Sequence, residues 1–145
     1  MGKVLYIEDM EECHELTKGA LGNSYEVVSK YTPKEAELEI RKNIGEYEAM
    51  ISDVNFIYNP EKPANEQTME GLELIALARE ESKRKGIKNL PIFCISSDGS
   101  HRKPSLKKGA NIFMWKKAFW KGGKEYLDAI LEHKKRDERR KRQIR

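Results

Sequence analysis

At 145 residues the chain fits one domain with a single core, large enough to fold without disulfides or a structural metal. Its two cysteines, Cys13 and Cys94, stand in a helix-like and a strand-like segment with no CxxC or Cys/His cluster, which argues against zinc or dithiol chemistry and for buried, reduced thiols. The formal charge is +4, but residues 133–145 hold eight of the 28 Lys/Arg and two of the 24 Asp/Glu; that segment carries +6 and the rest −2, so the basic balance belongs to the tail.

Met1-Gly2-Lys3 leads straight into the apolar run Val4-Leu5-Tyr6-Ile7, with no leader pattern and no stretch of membrane-span length anywhere, so a cytoplasmic location without a membrane partner is expected. That first run reads as a strand and ends in Glu8-Asp9. A helix is predicted over Glu11 to Leu21, with Cys13, Leu16, Thr17, Ala20 and Leu21 as its apolar stripe and Gly22-Asn23 as its stop. Glu26 to Ser29 is the second strand. Thr32-Pro33-Lys34-Glu35 then reads as an N-cap, a first-turn proline and a capping-box glutamate, opening a helix on which Ala36, Leu38 and Ile40 face inward.

The third strand, Met50-Ile51-Ser52-Asp53, ends in a lone aspartate. Val54 to Thr68 is a long polar stretch with Pro60 and Pro63, well beyond the usual connection of about 2–6 residues. A helix follows from about Gly71 and ends before Gly86. Pro91 to Ile95 is the fourth strand, running into Ser96-Ser97. Between Ser97 and Ala110 only a short helix fits, starting near Pro104. Asn111 to Trp115 is the fifth strand, running into Lys116-Lys117, and the last helix is expected after Gly122-Gly123, with Tyr126, Leu127, Ile130 and Leu131 buried. Residues 1–132 form the domain, and residues 133–145 a basic helical extension or tail.

Short strands alternating with helices predict an α/β domain with a parallel sheet. In such a sheet the residues just past the strand ends face the ligand. Taken singly, Asp53 is an ordinary turn residue and Glu8-Asp9 an ordinary helix cap. Together with the Ser96 hydroxyl and a lysine they converge on one edge of the sheet. His14, His101 and His133 share no metal-ligand spacing and are assigned surface or packing roles.

The ordered series Val4 to Asp9, Met50 to Asp53, Met69-Glu70-Gly71 with the helix after it, Pro91 to Ser97 and Gly109 to Lys116 resembles the response-regulator receiver domain of two-component signalling, over about residues 3–132. The resemblance implies a flavodoxin-like, doubly wound, five-stranded parallel sheet in the order 2-1-3-4-5 with helices on both faces. It implies Asp53 as phospho-acceptor from a phosphohistidine on a histidine kinase or phosphotransfer protein. Glu8, Asp9, Asp53 and the backbone carbonyl of Asn55 would hold Mg²⁺. Lys116 would pair with the phosphoryl group, Ser96 would hydrogen-bond it, and Ser96 with Phe113 would form the switch. A one-residue shift would put Lys117 in place of Lys116.

Three departures from the family pattern stand out. Lys117 occupies the position where the family usually has a proline in a cis bond. The interval from Asp53 to Gly71 is longer than usual. The face that ordinarily signals would carry His101, Arg102, Lys103, Lys107, Lys108, Lys117, Lys121 and Lys124 with Trp115 and Trp120 nearby. The resulting expectation is a stand-alone receiver with no output domain and no enzymatic role, acting by docking to an unidentified output protein. The alternative is a receiver-like binding module that is not phosphorylated and whose basic tail contacts nucleic acid or another anionic partner.

Overall fold

The computed structural model describes residues 2–53 and 70–144. Asn55, the polar stretch 54–68 and Met69 lie outside the described residues. Five parallel strands, β1 (Gly2–Ile7), β2 (Tyr25–Lys30), β3 (Ala49–Asp53), β4 (Ile92–Ser96) and β5 (Ile112–Trp115), form one sheet in the order β2-β1-β3-β4-β5. The helices are α1 (Glu11–Leu21), α2 (Pro33–Asn43), α3 (Glu70–Arg84), α4 (Arg102–Lys108) and α5 (Lys116–Ile144). The alternation of elements predicts the parallel sheet, and the strand order is the one the receiver-domain resemblance implies. Among the described residues no helix is long and apolar enough to cross a membrane.

The period of two along each strand sorts the core into two layers. Leu5, Ile7, Met50, Ile92 and Cys94 point to one face, where Ala36 and Ile40 of α2 and Leu74, Ile75 and Ala78 of α3 cover them. Val4, Tyr6, Ile51, Phe93 and Ile95 point to the other, under Leu21 of α1 and Phe119, Leu127 and Leu131 of α5. β3 and β4 are buried throughout, as central parallel strands are. The Phe93 and Phe119 rings meet edge to face at 6.0 Å, an arrangement that adds about 0.5–1.5 kcal/mol beyond the area it buries. Both cysteines are buried and free.

Several local expectations are met in detail. Thr32 Oγ1 accepts the Glu35 N–H at 3.1 Å, and the Glu35 carboxylate reaches back to the Tyr31 N–H at 3.0 Å. This ties off the first turn of α2. Others are corrected. Leu16, Leu38 and Tyr126 are 49%, 61% and 52% exposed, because in each helix a narrower stripe suffices to meet the sheet. His14 takes the place on α1 that Leu16 was given, fully buried beside Cys13 and Thr17. α4 begins earlier than Pro104, at Arg102, after a 3₁₀ turn over Gly99–His101.

The largest correction concerns α5. It starts at Lys116, directly after β5, and runs for 29 residues through both Gly122 and Gly123. Glycine in a helix interior costs about 1 kcal/mol relative to alanine, which is why the pair reads as a boundary. At Gly123 the lack of a side chain is used: a Cβ there would stand 2.4 Å from Phe119 Cδ2. The fully buried Phe119 ring therefore packs onto helix backbone. Gly122 has nothing within 4 Å of its Cβ position. Gly122→Ala is expected to raise stability by about 0.5–1 kcal/mol and Gly123→Ala to lower it by about 1–3 kcal/mol, measured by urea unfolding.

Candidate functional site

Parallel strands in register bring their C-terminal residues to one edge of the sheet. Ile7 of β1 pairs with Ser52 of β3, Asp53 with Ile95 of β4, and Ser96 with Trp115 of β5. Glu8, Asp53, Ser96 and Lys116 therefore gather at the edge where β1 and β3 part their connections to opposite faces, the switch point of this topology.

Each of Glu8, Asp9 and Asp53 brings one carboxylate oxygen to within 4.8 Å of the other two, the one such group among the described residues. Glu8 and Asp53 are buried and Asp9 is exposed, so the group opens to solvent on the Asp9 side. Oxygen donors of this number and charge suit a hard divalent cation such as magnesium, which keeps several waters and takes few carboxylates. The fourth predicted donor, the Asn55 carbonyl, lies outside the described residues.

Lys116 Nζ lies between the two buried acids, 2.6 Å from Glu8 Oε1 and 3.2 Å from Asp53 Oδ2. Its side chain is 11% exposed, whereas Lys117 is exposed. Of the two lysines it is Lys116 whose ammonium lies in the acidic pocket. None of the described peptide bonds is cis. Lys117 is the second residue of α5, so the helix begins where the family has its proline.

Among the described residues one ammonium, that of Lys116, reaches both buried carboxylates. Burial, reinforced by Asp53, pushes Glu8 up to about 8 in spite of Lys116. Burial acts to lower Lys116, but Asp53 and Glu8 outweigh it and hold the ammonium well above its ordinary value. The Cys13 sulfur is 3.7 Å from Lys116 Nζ, and burial together with Glu8 pushes its thiol up to about 11, so it stays protonated and unreactive.

Two histidines assigned only generic roles from sequence hold this edge in place. His14 Nε2–H donates to the Glu8 carbonyl oxygen at 2.6 Å, fixing the turn that carries Glu8 and Asp9. Its ring also stacks near Tyr6 and Tyr31, at 4.8 and 4.1 Å between centroids. His101, placed from sequence on the basic outer face, is instead 9% exposed, and its Nδ1 shares a 2.9 Å hydrogen bond with the Ser96 hydroxyl. Ser96 Oγ also accepts the Asp98 N–H at 3.0 Å. The serine predicted to meet a phosphoryl group is thus fully buried and engaged by its own loop. Only the position of His14 beside the α1 stripe hinted at the first contact. No spacing rule marks the second, which depends on the Gly99–His101 turn.

Phe113 is half-buried on β5 and meets Trp115 edge to face at 6.2 Å. Trp115 is 52% exposed and lies over Gly99, where a Cβ would come within 2.8 Å of the indole. Trp120, grouped from sequence with the basic face, donates its indole N–H to Thr17 Oγ1 at 3.1 Å and so ties α5 to α1.

The raised value of Glu8 makes stability depend on pH in a fixed direction. The folded protein holds that proton to higher pH than the unfolded chain does, so the contribution is whole below about 4.5 and is lost as pH rises through about 8. In metal-free buffer, wild type is expected to lose thermal stability relative to Glu8→Gln across that interval. Parallel melting curves for the two proteins from pH 4.5 to 8 would show that Glu8 does not titrate there.

Neither a protein-family profile nor any curated protein matches the sequence. Solved structures do. The receiver domain of Francisella response regulator 1452 is 18% identical, with a TM-score of 0.67 over 92% of this chain and 99% of that one. A response regulator from Thermotoga maritima is 19% identical, with a TM-score of 0.68 over 91% and 98%. The Mn²⁺-bound form of response regulator Rcp1 is 17% identical, with a TM-score of 0.64 over 91% and 96%. With likenesses of this extent and the strand order above, the chain has the fold of a response-regulator receiver domain.

Proposed function

We propose that the chain is a phosphorylatable receiver switch in which Asp53 accepts the phosphoryl group. The observation that carries this reading is Lys116 Nζ set between Glu8 and Asp53, with Asp9 completing an acidic group at the sheet edge. Asp53 is buried, at 2% exposure, yet belongs to a group that opens to solvent through Asp9.

In this reading an Asp53 carboxylate oxygen forms a bond to phosphorus as the P–N bond of a donor phosphohistidine breaks. The imidazole leaves with the electron pair and takes up a proton from solvent. Glu8, Asp9 and Asp53 would hold magnesium, which would supply the charge that offsets repulsion between carboxylate and phosphoryl group. That the similar Rcp1 has a Mn²⁺-bound form supports a divalent cation in this fold. Lys116 reorients from its carboxylate partners toward a phosphoryl oxygen, which suits a flexible ammonium acting as a point charge.

Ser96 exchanges its bond to His101 for one to the phosphoryl group, and the β4–α4 loop moves with it. Phe113 and Trp115 adjoin that loop, so the change is read on the surface formed by α4, β5 and α5. Exposed Trp115, with Lys103, Lys107, Lys117 and Lys121, gives that surface an aromatic and basic character fitted to an acidic protein partner. The protein acts here as a switch and not as an enzyme. A histidine kinase or phosphotransfer protein is its donor, and the cell interior its place of action.

Intact-mass analysis after incubation with acetyl phosphate and Mg²⁺ tests the assignment. Wild type is expected to gain one phosphoryl group and Asp53→Ala none, with beryllofluoride changing Trp115 fluorescence in wild type only. Lys116→Ala is expected to slow phosphorylation by on the order of 100-fold, while Lys117→Ala leaves it unchanged. A wild type that takes neither phosphoryl group nor beryllofluoride points to the unphosphorylated binding module instead.

A further inference from the structure

The last buried residue of α5 is Leu131, yet the helix continues to Ile144. At a rise of about 1.5 Å per residue, the stretch beyond Leu131 projects about 20 Å from the body. From Glu132 to Gln143 it contains no apolar residue. It therefore has no core to cover, and it lacks the apolar face that a helix lying on a lipid surface needs. Residues 132–144 carry seven Lys/Arg against three Asp/Glu. Glu132 pairs with Arg136 at 3.6 Å and Arg139 at 3.4 Å, and Asp137 with Lys141 at 3.5 Å, which offsets only part of the charge.

The charges are not scattered. With about 3.6 residues per turn, Lys135, Arg139 and Arg142 fall on one line along the helix. Continued toward the N-terminus, the same line passes through Lys124, Lys121 and Lys117. Lys124 is half-buried and pairs with Asp128 at 2.7 Å, and the other five are exposed. Lys117 and Arg142 are about 38 Å apart along a continuous helix. Between Lys124 and Lys135 the line carries no cation and passes Asp128, so the rod presents two basic groups of three about 16 Å apart. Two such groups on one straight rod complement a polymer of anions. Outside residues 133–145 the chain carries net −2, so beyond the lysines of this line it adds no attraction of its own.

We propose that this face of α5 binds double-stranded DNA through its phosphate backbone, independently of the Asp53 reading. The free stretch is a bare helix about 10–12 Å across, which matches a B-form major groove about 12 Å wide. The deep, narrow major groove of duplex RNA does not admit it. Lys135, Arg139 and Arg142 enter beside the groove, and Lys117 and Lys121 meet phosphates nearer the body. All six positions are Lys or Arg, and in this proposal the five exposed ones meet phosphates and not base edges, so binding depends little on sequence.

The test is fluorescence anisotropy of the full chain with a labelled DNA duplex of about two helical turns, at a series of salt concentrations. Binding in the micromolar range is expected at low salt, with a slope of log K against log salt of about −4.5 for five phosphate contacts. Arg139→Glu/Arg142→Glu is expected to weaken binding at least about 10-fold, and Lys134→Glu/Lys141→Glu, about a third of a turn away from the line with the same charge change, less than about 3-fold. Circular dichroism checks that helix is retained, and Arg139→Gln/Arg142→Gln replaces the first variant if it is not. Equal losses on the two faces, tighter binding to duplex RNA or anionic vesicles, or no binding at low salt would each overturn the proposal. Asp53→Ala is expected to bind DNA as wild type does, so loss of DNA binding and loss of phosphorylation are separate results.

Discussion

The structure turns on two buried carboxylates held side by side. Glu8 and Asp53 are brought together by the pairing of β1 with β3, and neither can be moved without breaking the buried centre of the sheet. One ammonium, Lys116, lies between them. Breaking such a buried arrangement by removing its cation is costly, because the remaining charges are left uncompensated. Burial, reinforced by Asp53, holds Glu8 toward its protonated form. Two buried carboxylates at one sheet edge gain from taking up a cation, and this is the physical link between the resting geometry and the chemistry proposed for it.

The supports of the pocket differ in kind from its members. His14 fixes backbone, through the Glu8 carbonyl, and does so with the neutral imidazole that burial favours by lowering its value. His101 holds a side chain, the Ser96 hydroxyl, in a loop that also carries the Gly99 contact with Trp115. The first support is deep under α1, while the second belongs to a short turn at the surface. Motion at this edge is therefore easier on the β4–α4 side than on the β1–α1 side. Arg79 reinforces the opposite end of β4, where its guanidinium binds the carbonyls of Leu90 and Gly109 and the side chain of Asn111.

What could be read from sequence was what strand periodicity controls. Val4 to Ile7, Met50 to Asp53 and Pro91 to Ile95 are dense enough in apolar residues to declare buried strands, and their ends named Glu8, Asp9, Asp53 and Ser96 without further information. The place after β5 left Lys116 and Lys117 both open, and it is the ammonium of Lys116 that lies in the pocket. What could not be read rested on contacts between segments. Gly122-Gly123 reads as a stop because propensity is local, whereas the Phe119 ring that uses Gly123 belongs to tertiary packing. Leu38 and Tyr126 fit a helical stripe, but how wide a stripe the sheet covers is set by the neighbouring helices. The His101–Ser96 bond depends on a three-residue turn whose geometry no pattern announces.

The absence of any connecting loop between β5 and α5 has a mechanical consequence. Lys116 is at once the cation of the pocket and the first residue of a 29-residue helix. The helix is a lever with its short end in the acid cluster and its long end in solvent. Over a rod of about 43 Å, a tilt of about 5° at the base carries the tip about 4 Å. Leu131, about halfway along, moves about 2 Å in the same tilt, so a change at the pocket reaches the distal end together with the packing of the helix on the sheet.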